Sequence, residues 1–406
     1  MSSPHPSITP MPEGPAVKAL DALLQKALQD GASDIHVETG DNSCRVRFRI
    51  DGRLRLAATP AMSLRDALVS RIKVLARMDI AEKRLPQDGR IQYTHAGQGV
   101  DLRVSSLPTV HGEKIVIRIL KFSQARPSLS SLGYEADDQT RLLQAIERPH
   151  GMVLMTGPTG SGKTLSLYSC LDILNRLEIN LSTVENPSDI QLAGANQVNI
   201  NERAGLTFAN TLRALLRQDP DVIMLGEIRD LETAEIAIQA SQTGRLVLST
   251  LHTNDATSTL TRLQHMGVEA FNVAASVVMI TAQRLVRRLC NGRKTPMDEL
   301  QTQDIRTALA LTPQALFSRE EIQTRPVFKP VGCQACDGGH KGRVGIFQVL
   351  PISESMQSLI LNRGNAQALA EQASSEGVRN LRQAELLKVL QGLTSAQEVM
   401  AMTQHG

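Results

Sequence analysis

"MVLMTGPTGSGKTLSLYSCLDIL", residues 152–174, places an apolar run before a glycine-rich loop and a helix-forming run after it. The loop matches the pattern G-x-x-x-x-G-K-[ST], in which glycines let the backbone curl so that its N–H groups point at phosphate oxygens. Lys163 would reach the outer phosphates and Thr164 would ligate Mg²⁺. A glycine-rich turn without a ligand is the alternative, but the flanking strand and helix favour a nucleoside triphosphate site. The residues predicted to bind the nucleotide are Gly157, Pro158, Thr159, Gly160, Ser161, Gly162, Lys163 and Thr164.

The segments around this loop predict the fold. Apolar runs at 152–156, 180–185, 222–225 and 246–250 are separated by helix-forming stretches. Continuous apolar strands with helices between them are typical of a parallel sheet that is covered on both faces. We therefore expect an α/β domain with a parallel-core sheet.

The N-terminal third has a different pattern. A helix is predicted at 16–29 and another at 64–76, and residues 45–56 alternate in the manner of strands on either side of an Asp51-Gly52 turn. This pattern indicates a small α+β domain. The predicted parts of the chain are, in order, a disordered tail (1–15), an N-terminal domain (16–120), a Ser-, Pro- and Gly-containing linker (121–140) and a second domain (141–406) with a cysteine-containing insert at about 286–345 and C-terminal helices at 353–406.

Composition narrows the class of function. The 406 residues include 44 basic and 41 acidic side chains, which gives a net charge of +3. Aromatic residues make up 2% and tryptophan is absent, so stacking platforms for nucleic-acid bases are scarce and no nucleic-acid partner is expected. The N-terminus lacks the pattern of a signal peptide, and no apolar run reaches the roughly 18 residues of a membrane span. We expect a cytoplasmic protein.

Two glutamates and a histidine follow predicted strands. Glu227 comes directly after "DVIMLG" and Glu185 ends the strand "STVE", so both belong to the edge of the sheet where α/β folds bind ligands. Triphosphate hydrolysis needs a carboxylate on the metal side and a group that orients water, which we assign to Glu227 and Glu185 respectively. His252, in "STLHTNDA", would sense the γ-phosphate. Each residue, taken alone, also fits a structural or solvated position.

The chain resembles the traffic ATPases of type II secretion and type IV pilus systems. The resemblance extends from about Ala16 to Thr403 and depends on several motifs in a fixed order. These motifs are GASDIHVE (31–38), RFRIDGRL (47–54), LPQDGR (85–90), LRVSSLPTVHGEKIVIRIL (102–120), GPTGSGKT (157–164), TVENP (183–187), LRQDPDVIMLGEIRD (216–230), STLHTNDA (249–256) and GVRNLRQ (377–383).

The resemblance implies a fold, an assembly and a set of roles. It implies a PAS-like N-terminal domain joined to a RecA-like ATPase domain in a hexameric ring that binds ATP and Mg²⁺. Glu227 would act on magnesium, Glu185 would activate water and His252 would contact the γ-phosphate. Arg103 and Arg118 would act as arginine fingers. The sequence itself places these two arginines on strand-like segments, where a solvated strand face is the alternative.

Two departures from the family pattern affect the expected chemistry. Asn186 stands where the family usually has aspartate, so one negative charge is missing beside the proposed base and turnover is expected to change. The family's secretion branch tends to bind zinc through two C-x-x-C pairs. Here Cys333 and Cys336 form one pair, while the other is reduced to Cys290 followed by Arg293. With three thiols, a tetrahedral zinc site needs a fourth ligand, for which His340 is the candidate. A degenerate hairpin that is held only by its packing, without zinc, is the alternative.

The resemblance favours the assembly and secretion branch over the retraction motors. The expected partners are further copies of the chain in a homohexamer and the inner-membrane platform protein of a secretion or pilus system. The expected location is peripheral on the inner face of the cytoplasmic membrane. The short N-terminal tail leads us to expect that the extra partner-docking domain of longer members is absent. The alternatives are a RecA-like motor that translocates nucleic acid and a nucleotide-gated scaffold that has lost hydrolysis.

Overall fold

The computed structural model describes residues 14–120, 127–292, 294–297, 302–303, 306–307, 318–334 and 336–403. The chain divides into two compact units, Met1–Gln124 and Ala125–Gly406. Most of the predicted tail (residues 1–13), part of the predicted linker (residues 121–126) and Arg293 lie outside the described residues.

The first unit is a six-stranded antiparallel sheet with two helices. The strand order is β3-β2-β1-β6-β5-β4. Asp51 and Gly52 form the turn between β2 and β3, both with positive φ, so the predicted hairpin is confirmed. The elements are α1 (Pro15–Gln29), β1 (Asp34–Thr39), β2 (Cys44–Ile50), β3 (Arg53–Ala58), α2 (Arg65–Leu75), β4 (Gln87–His95), β5 (Gln98–Thr109) and β6 (Gly112–Leu120).

Alternation along the strands gives this sheet one apolar and one polar face. Leu24 of α1 and Ile72 of α2 pack with Ile35, Phe48 and Ile117 in a single buried cluster. Since successive strand residues point to opposite faces, the charged residues between these apolar positions lie on the other face. The two helices therefore cover the apolar face only.

The second unit is built on a seven-stranded sheet of order β15-β12-β7-β11-β10-β8-β9. The pairs from β12 to β9 are all parallel, and β15 joins β12 antiparallel, so the predicted parallel core is confirmed. The strands of this sheet are β7 (Gly151–Thr156), β8 (Leu181–Glu185), β9 (Asn196–Asn199), β10 (Val222–Leu225), β11 (Leu246–Leu251), β12 (Val277–Leu289) and β15 (His340–Pro351). A separate antiparallel pair is formed by β13 (Lys294–Pro296) and β14 (Phe328–Pro330).

Helices cover both faces of this sheet, which explains why its strands are apolar throughout. Along β7, Met152 and Leu154 belong to one buried cluster, whereas Val153 and Met155 belong to another on the opposite face. The helices are α3 (Leu129–Leu132), α4 (Ala136–Ile146), α5 (Lys163–Leu174), α6 (Phe208–Leu215), α7 (Leu231–Gln242), α8 (Ala256–His265), α9 (Ala270–Ser276), α10 (Arg319–Thr324), α11 (Glu354–Leu361), α12 (Ala366–Ser375), α13 (Leu381–Leu390) and α14 (Ala396–Thr403).

The second unit begins earlier than the sequence pattern indicates. Helix α3 and the start of α4 lie inside the range predicted as a linker, 121–140. Leu129 and Tyr134 are buried in the same cluster as Met155, and the Tyr134 ring stacks on Phe347 with ring centroids 3.6 Å apart. Residues 129–140 are therefore packed on the second unit, because their apolar side chains complete its core.

Among the described residues, no helix is both long enough and apolar enough to cross a bilayer.

Candidate active site

The phosphate loop connects β7, which ends at Thr156, to α5, which begins at Lys163. Three of its glycines have positive φ: Gly157 at 143°, Gly160 at 80° and Gly162 at 91°. A Cβ atom on Gly157 would lie 2.3 Å from the backbone oxygen of Gln283. Side chains are thus excluded from Gly157 by both conformation and space, and the backbone can curl closely around a ligand.

Lys163 is buried at the start of α5. Its Nζ donates to the backbone oxygens of Gly157 at 2.7 Å and Pro158 at 3.2 Å. Burial lowers the pKa of the Lys163 amine, and the nearby carboxylate of Glu227 partly offsets this effect. The amine therefore donates to the backbone of its own loop. A bound phosphate would replace these two carbonyl acceptors with anionic phosphate oxygens.

Gln283 supports the loop from the neighbouring strand β12. Its side-chain Nε2 donates to the backbone oxygen of Ser161 at 2.8 Å, and the residue is only 2% exposed. The sequence reading missed Gln283 because 122 positions separate it from Ser161 and it belongs to no motif. A glutamine directly after the largely apolar run VVMITA (277–282) is the one signal that the sequence offered.

Glu185 ends β8 and is 6% exposed. The hydroxyl of Tyr168, on α5, donates to the glutamate's Oε1 at 2.8 Å and lies 2.9 Å from Oε2. Thr183 donates to Oε1 at 2.8 Å. A buried carboxylate requires such donors. The structure thus supplies them from the strand itself and from the helix that follows the phosphate loop.

Glu227 follows β10 at the same edge of the sheet. One of its oxygens accepts a hydrogen bond from Arg229 at 2.5 Å, and the other lies 3.7 Å from Nε2 of His252. The preceding residue, Gly226, is hydrogen-bonded to the backbone of Val184 at 2.8 Å and to the Thr250 hydroxyl at 2.7 Å. The ends of β8, β10 and β11 are therefore joined, which fixes Glu227 and His252 as neighbours.

His252 is half-exposed and lies in a positive environment. Burial lowers its pKa, Lys163 and Arg229 lower it further, and Glu227 acts in the opposite direction. Burial and the two cations together therefore favour the neutral imidazole. In the same turn, the backbone N–H of Thr253 donates to the Thr156 hydroxyl at 3.0 Å, so the segment that carries His252 is tied to the residue before the phosphate loop.

Arg103 and Arg118 belong to the first unit, on strands β5 and β6. They lie opposite each other in the strand register. The Nε of Arg118 also donates to Asp34 at 3.1 Å, and the Arg118 side chain is 60% exposed. The two residues that the sequence singled out are thus brought together on the polar face of the first sheet.

The cysteine-containing segment brings three thiols together. The sulfur of Cys333 lies 3.8 Å from that of Cys290 and 3.3 Å from that of Cys336. Among the described residues these three cysteines form the one group of potential metal ligands, with all sulfurs within 4.8 Å of one another. His340 is not a member of this group, and its Nε2 lies 3.1 Å from the Ser395 hydroxyl. The predicted fourth ligand is therefore placed elsewhere, while the three thiols are placed as expected.

The sequence is similar to those of pilus-assembly and secretion ATPases. The Type IV pilus assembly ATPase PilB of Acinetobacter baylyi is 51% identical over 392 residues, which cover 96% of this chain and 67% of that protein. The Type II secretion system ATPase E of Vibrio cholerae is 44% identical over 393 residues, which cover 97% of this chain and 76% of the relative. The predicted resemblance is confirmed.

Solved structures agree on the fold. The ATPase DotB of Legionella pneumophila superposes with a TM-score of 0.70 at 20% identity, covering 98% of each chain. The pilus retraction motor PilT, solved with bound ADP, gives a TM-score of 0.62 at 23% identity and covers 93% of this chain and 95% of its own. The predicted fold class, an α/β domain with a parallel-core sheet preceded by a small α+β domain, is thereby confirmed. Residues 11–401 match the family described as Type II/IV secretion system protein, and the chain belongs to that family.

Proposed function

We propose that this chain is an ATP-hydrolysing motor that drives pilus or pseudopilus assembly and protein secretion in a type IV pilus or type II secretion system. The observation that carries the proposal is the shared position of Glu185 and Glu227. Glu185 ends β8 and Glu227 follows the neighbouring parallel strand β10, at the edge of the sheet where the phosphate loop follows β7. Open α/β sheets bind their ligands at this edge.

The residues around the loop fit a magnesium-bound triphosphate. The backbone of residues 157–162 would hold the phosphates, and Lys163 would leave its two carbonyl acceptors for the outer phosphate oxygens. Thr164, exposed in the first turn of α5, and Glu227 would hold Mg²⁺, which prefers oxygen ligands. When bound, Mg²⁺ neutralises charge on the β- and γ-phosphate oxygens.

Glu185 would act on the attacking water. The water oxygen bonds to the γ-phosphorus, the bond from that phosphorus to the bridging β-oxygen breaks, and ADP leaves with the electron pair. Glu185 accepts the proton that the water loses. His252, neutral and close to Glu227, would donate a hydrogen bond to the γ-phosphate.

Arg103 and Arg118 would supply positive charge to the γ-phosphate as charge develops there. They lie in the first domain, 16–120, whereas the phosphate loop lies in the second, 141–406. Their approach would close the two domains about the predicted linker, and product release would reopen them. Hinge closure of this kind is an ordinary way to convert a phosphate contact into movement.

We assign this work to a homohexamer that is peripheral on the inner face of the cytoplasmic membrane and engages a polytopic platform protein. The support is membership of a family whose relatives are named as secretion and pilus-assembly ATPases. Light scattering of the purified chain with a non-hydrolysable ATP analogue should give six copies. A monomer at micromolar concentration with the analogue bound would contradict the ring.

The three thiols would hold zinc. Zn²⁺ in structural sites is bound by four ligands, so Cys290, Cys333 and Cys336 would be completed by a water molecule or another donor. Metal analysis should find about one zinc per chain, and Cys333→Ser should lose it while Cys44→Ala keeps it. Well under one equivalent of zinc per chain in both the wild type and Cys44→Ala would remove this assignment.

The function as a whole is tested by Mg²⁺-dependent ATP hydrolysis of the purified chain. Glu185→Gln should reduce kcat by roughly 100-fold or more if the glutamate is the base. Glu178→Gln, an exposed glutamate ahead of the same strand, should not change it. Vesicles of acidic phospholipid should raise the rate. Stimulation by single-stranded DNA instead would favour a nucleic-acid motor, and no hydrolysis at all would favour a scaffold.

A further inference from the structure

Tyr168 connects the phosphate-binding helix to the proposed base. It lies on α5 five positions after Lys163, and it is 1% exposed. Its single hydroxyl proton faces both oxygens of Glu185, at 2.8 Å and 2.9 Å. The phenol hydroxyl is thus within hydrogen-bond distance of both carboxylate oxygens.

Gln197 lies on the other side of the Tyr168 oxygen. The backbone N–H of Leu192 donates to the side-chain oxygen of Gln197 at 2.7 Å, so the amide nitrogen points the other way. That nitrogen lies 3.0 Å from the Tyr168 oxygen, and also 2.9 Å from both the Ser188 hydroxyl and the backbone oxygen of Ile190. The Ser188 hydroxyl lies 3.3 Å from the Tyr168 oxygen, farther than either carboxylate oxygen, and a carboxylate oxygen accepts, so the phenol proton is directed at Glu185.

The two oxygens of Glu185 are held differently. Oε1 accepts from Thr183 at 2.8 Å in addition to Tyr168, and Gln197 lies 3.4 Å away. Within the part of the chain that the structure describes, Tyr168 is the one hydrogen-bond donor to Oε2. Oε1 is therefore anchored, while Oε2 keeps capacity to accept a proton.

We propose that Tyr168 is a positioning residue that orients the Glu185 carboxylate, with Oε2 presented to the attacking water, and that it ties this orientation to the helix beginning at Lys163. The inference depends on the proposed role of Glu185. It assigns no contact between Tyr168 and the nucleotide. It predicts that loss of the hydroxyl affects the chemical step and leaves nucleotide binding unchanged.

The test compares Tyr168→Phe with Tyr134→Phe in the full-length protein. Both substitutions remove a buried hydroxyl from the same hydrophobic cluster, but Tyr134 does not contact Glu185. We expect Tyr168→Phe to lower kcat roughly 10-fold with an unchanged KM, since part of the contribution of a general base depends on its orientation. A non-hydrolysable ATP analogue should bind both variants as tightly as it binds the wild type.

The Glu185→Gln variant distinguishes failure of the positioning role of Tyr168 from failure of the proposed role of Glu185 as the base. If Glu185→Gln is inactive but Tyr168→Phe hydrolyses ATP as fast as Tyr134→Phe, the positioning role is overturned and the proposed function stands. If Glu185→Gln retains activity, the proposed base and the role of Tyr168 fail together. If Tyr168→Phe does not fold, Gln197→Leu removes the amide that contacts the phenol oxygen and should lower kcat roughly threefold with KM unchanged. An unaltered kcat there would overturn the proposal.

Discussion

Arg103 and Arg118 lie directly opposite each other on the antiparallel strands β5 and β6. Asp34 stands on the other side of Arg118 in the same row, and Arg49 follows it on β2. Like charges that face each other across strands are destabilising, and a carboxylate beside them offsets the repulsion. A pair of arginines held together in this way presents concentrated positive charge on one face of the first unit.

This row gives the first prediction. Arg103→Gln and Arg118→Gln should each lower kcat for ATP hydrolysis by roughly 1,000-fold or more, because an arginine finger contributes about 10³–10⁵ to the rate of phosphoryl transfer. Binding of ADP should be unchanged. Arg49→Gln, which removes an arginine from the same row beyond Asp34, is the matched control and should keep the wild-type rate. Equal losses in all three variants would point to a structural role for the row.

The second prediction concerns Lys163. Lys163→Ala should weaken ATP binding by roughly 10-fold or more, because a charge-assisted contact to the phosphates is lost. Thermal shift with and without nucleotide measures this effect, and the stabilisation at a given ATP concentration should be smaller than in the wild type. Lys26→Ala, which removes an exposed lysine paired with Asp30, should respond to ATP as the wild type does. Retention of the full shift by Lys163→Ala would place the nucleotide elsewhere.

The third prediction separates the metal from the nucleotide. Glu227→Gln removes the charge that faces Arg229 and His252. The variant should need a higher Mg²⁺ concentration for half-maximal hydrolysis and should lose most of its kcat, while nucleotide binding without Mg²⁺ is preserved. Glu232→Gln is the control, since Glu232 is exposed on α7 and pairs with Arg213. An unchanged Mg²⁺ titration in Glu227→Gln would exclude Glu227 from the metal site.

The fourth prediction is a pH dependence of stability in the first unit. Burial opposes ionisation of Glu38, but hydrogen bonds from Arg47 and Arg45 outweigh it and lower the pKa of Glu38 from 4.5 to about 2. A lowered pKa stabilises the fold above pH 4.5, and this contribution is lost as the pH falls through about 2.

Glu38→Gln should therefore reduce the free energy of unfolding by about 2 kcal/mol at pH 7. The difference from the wild type should shrink as the pH falls toward 2. Urea unfolding of the full chain at pH 7 and at about pH 3 measures both effects. Asp41→Asn, at an exposed acidic residue in the turn between β1 and β2, should leave stability unchanged at both pH values. A pH-independent loss in Glu38→Gln would show that packing, not charge, is responsible.

The sequence predicted those parts of the site that are local in the chain. The positions of the candidate residues Lys163, Glu185 and Glu227 could be predicted because a strand, a turn and a polar or charged residue follow one another within a few positions. Tyr168 and Gln283 could not, because their roles arise from contacts between elements distant in sequence. Tyr168 lies 17 positions from Glu185, and Gln283 lies 122 from Ser161. His340 shows the opposite error, since proximity in sequence to the cysteines did not bring its ring to their sulfurs.

The last prediction uses the hydrogen bond from Gln283 to Ser161. Gln283→Leu removes the side-chain donor that holds the phosphate loop against β12. Gln348, on the neighbouring strand β15, is a matched control because it is also a buried glutamine and accepts a hydrogen bond from the backbone of Ala256 at 3.0 Å. Both leucine variants should lose about 1–2 kcal/mol of stability, since each leaves a buried backbone group without its partner.

Only Gln283→Leu should also weaken ATP binding, by roughly fivefold, because a loop without its anchor must be ordered by the ligand itself. Calorimetric titration with a non-hydrolysable analogue, at a temperature where both variants remain folded, distinguishes the two effects. Equal affinities in Gln283→Leu and Gln348→Leu would mean that the glycine backbone and Lys163 hold the loop without help from β12. A selective loss of affinity would make Gln283 part of the nucleotide site, although it belongs to none of the motifs that identify the site in the sequence.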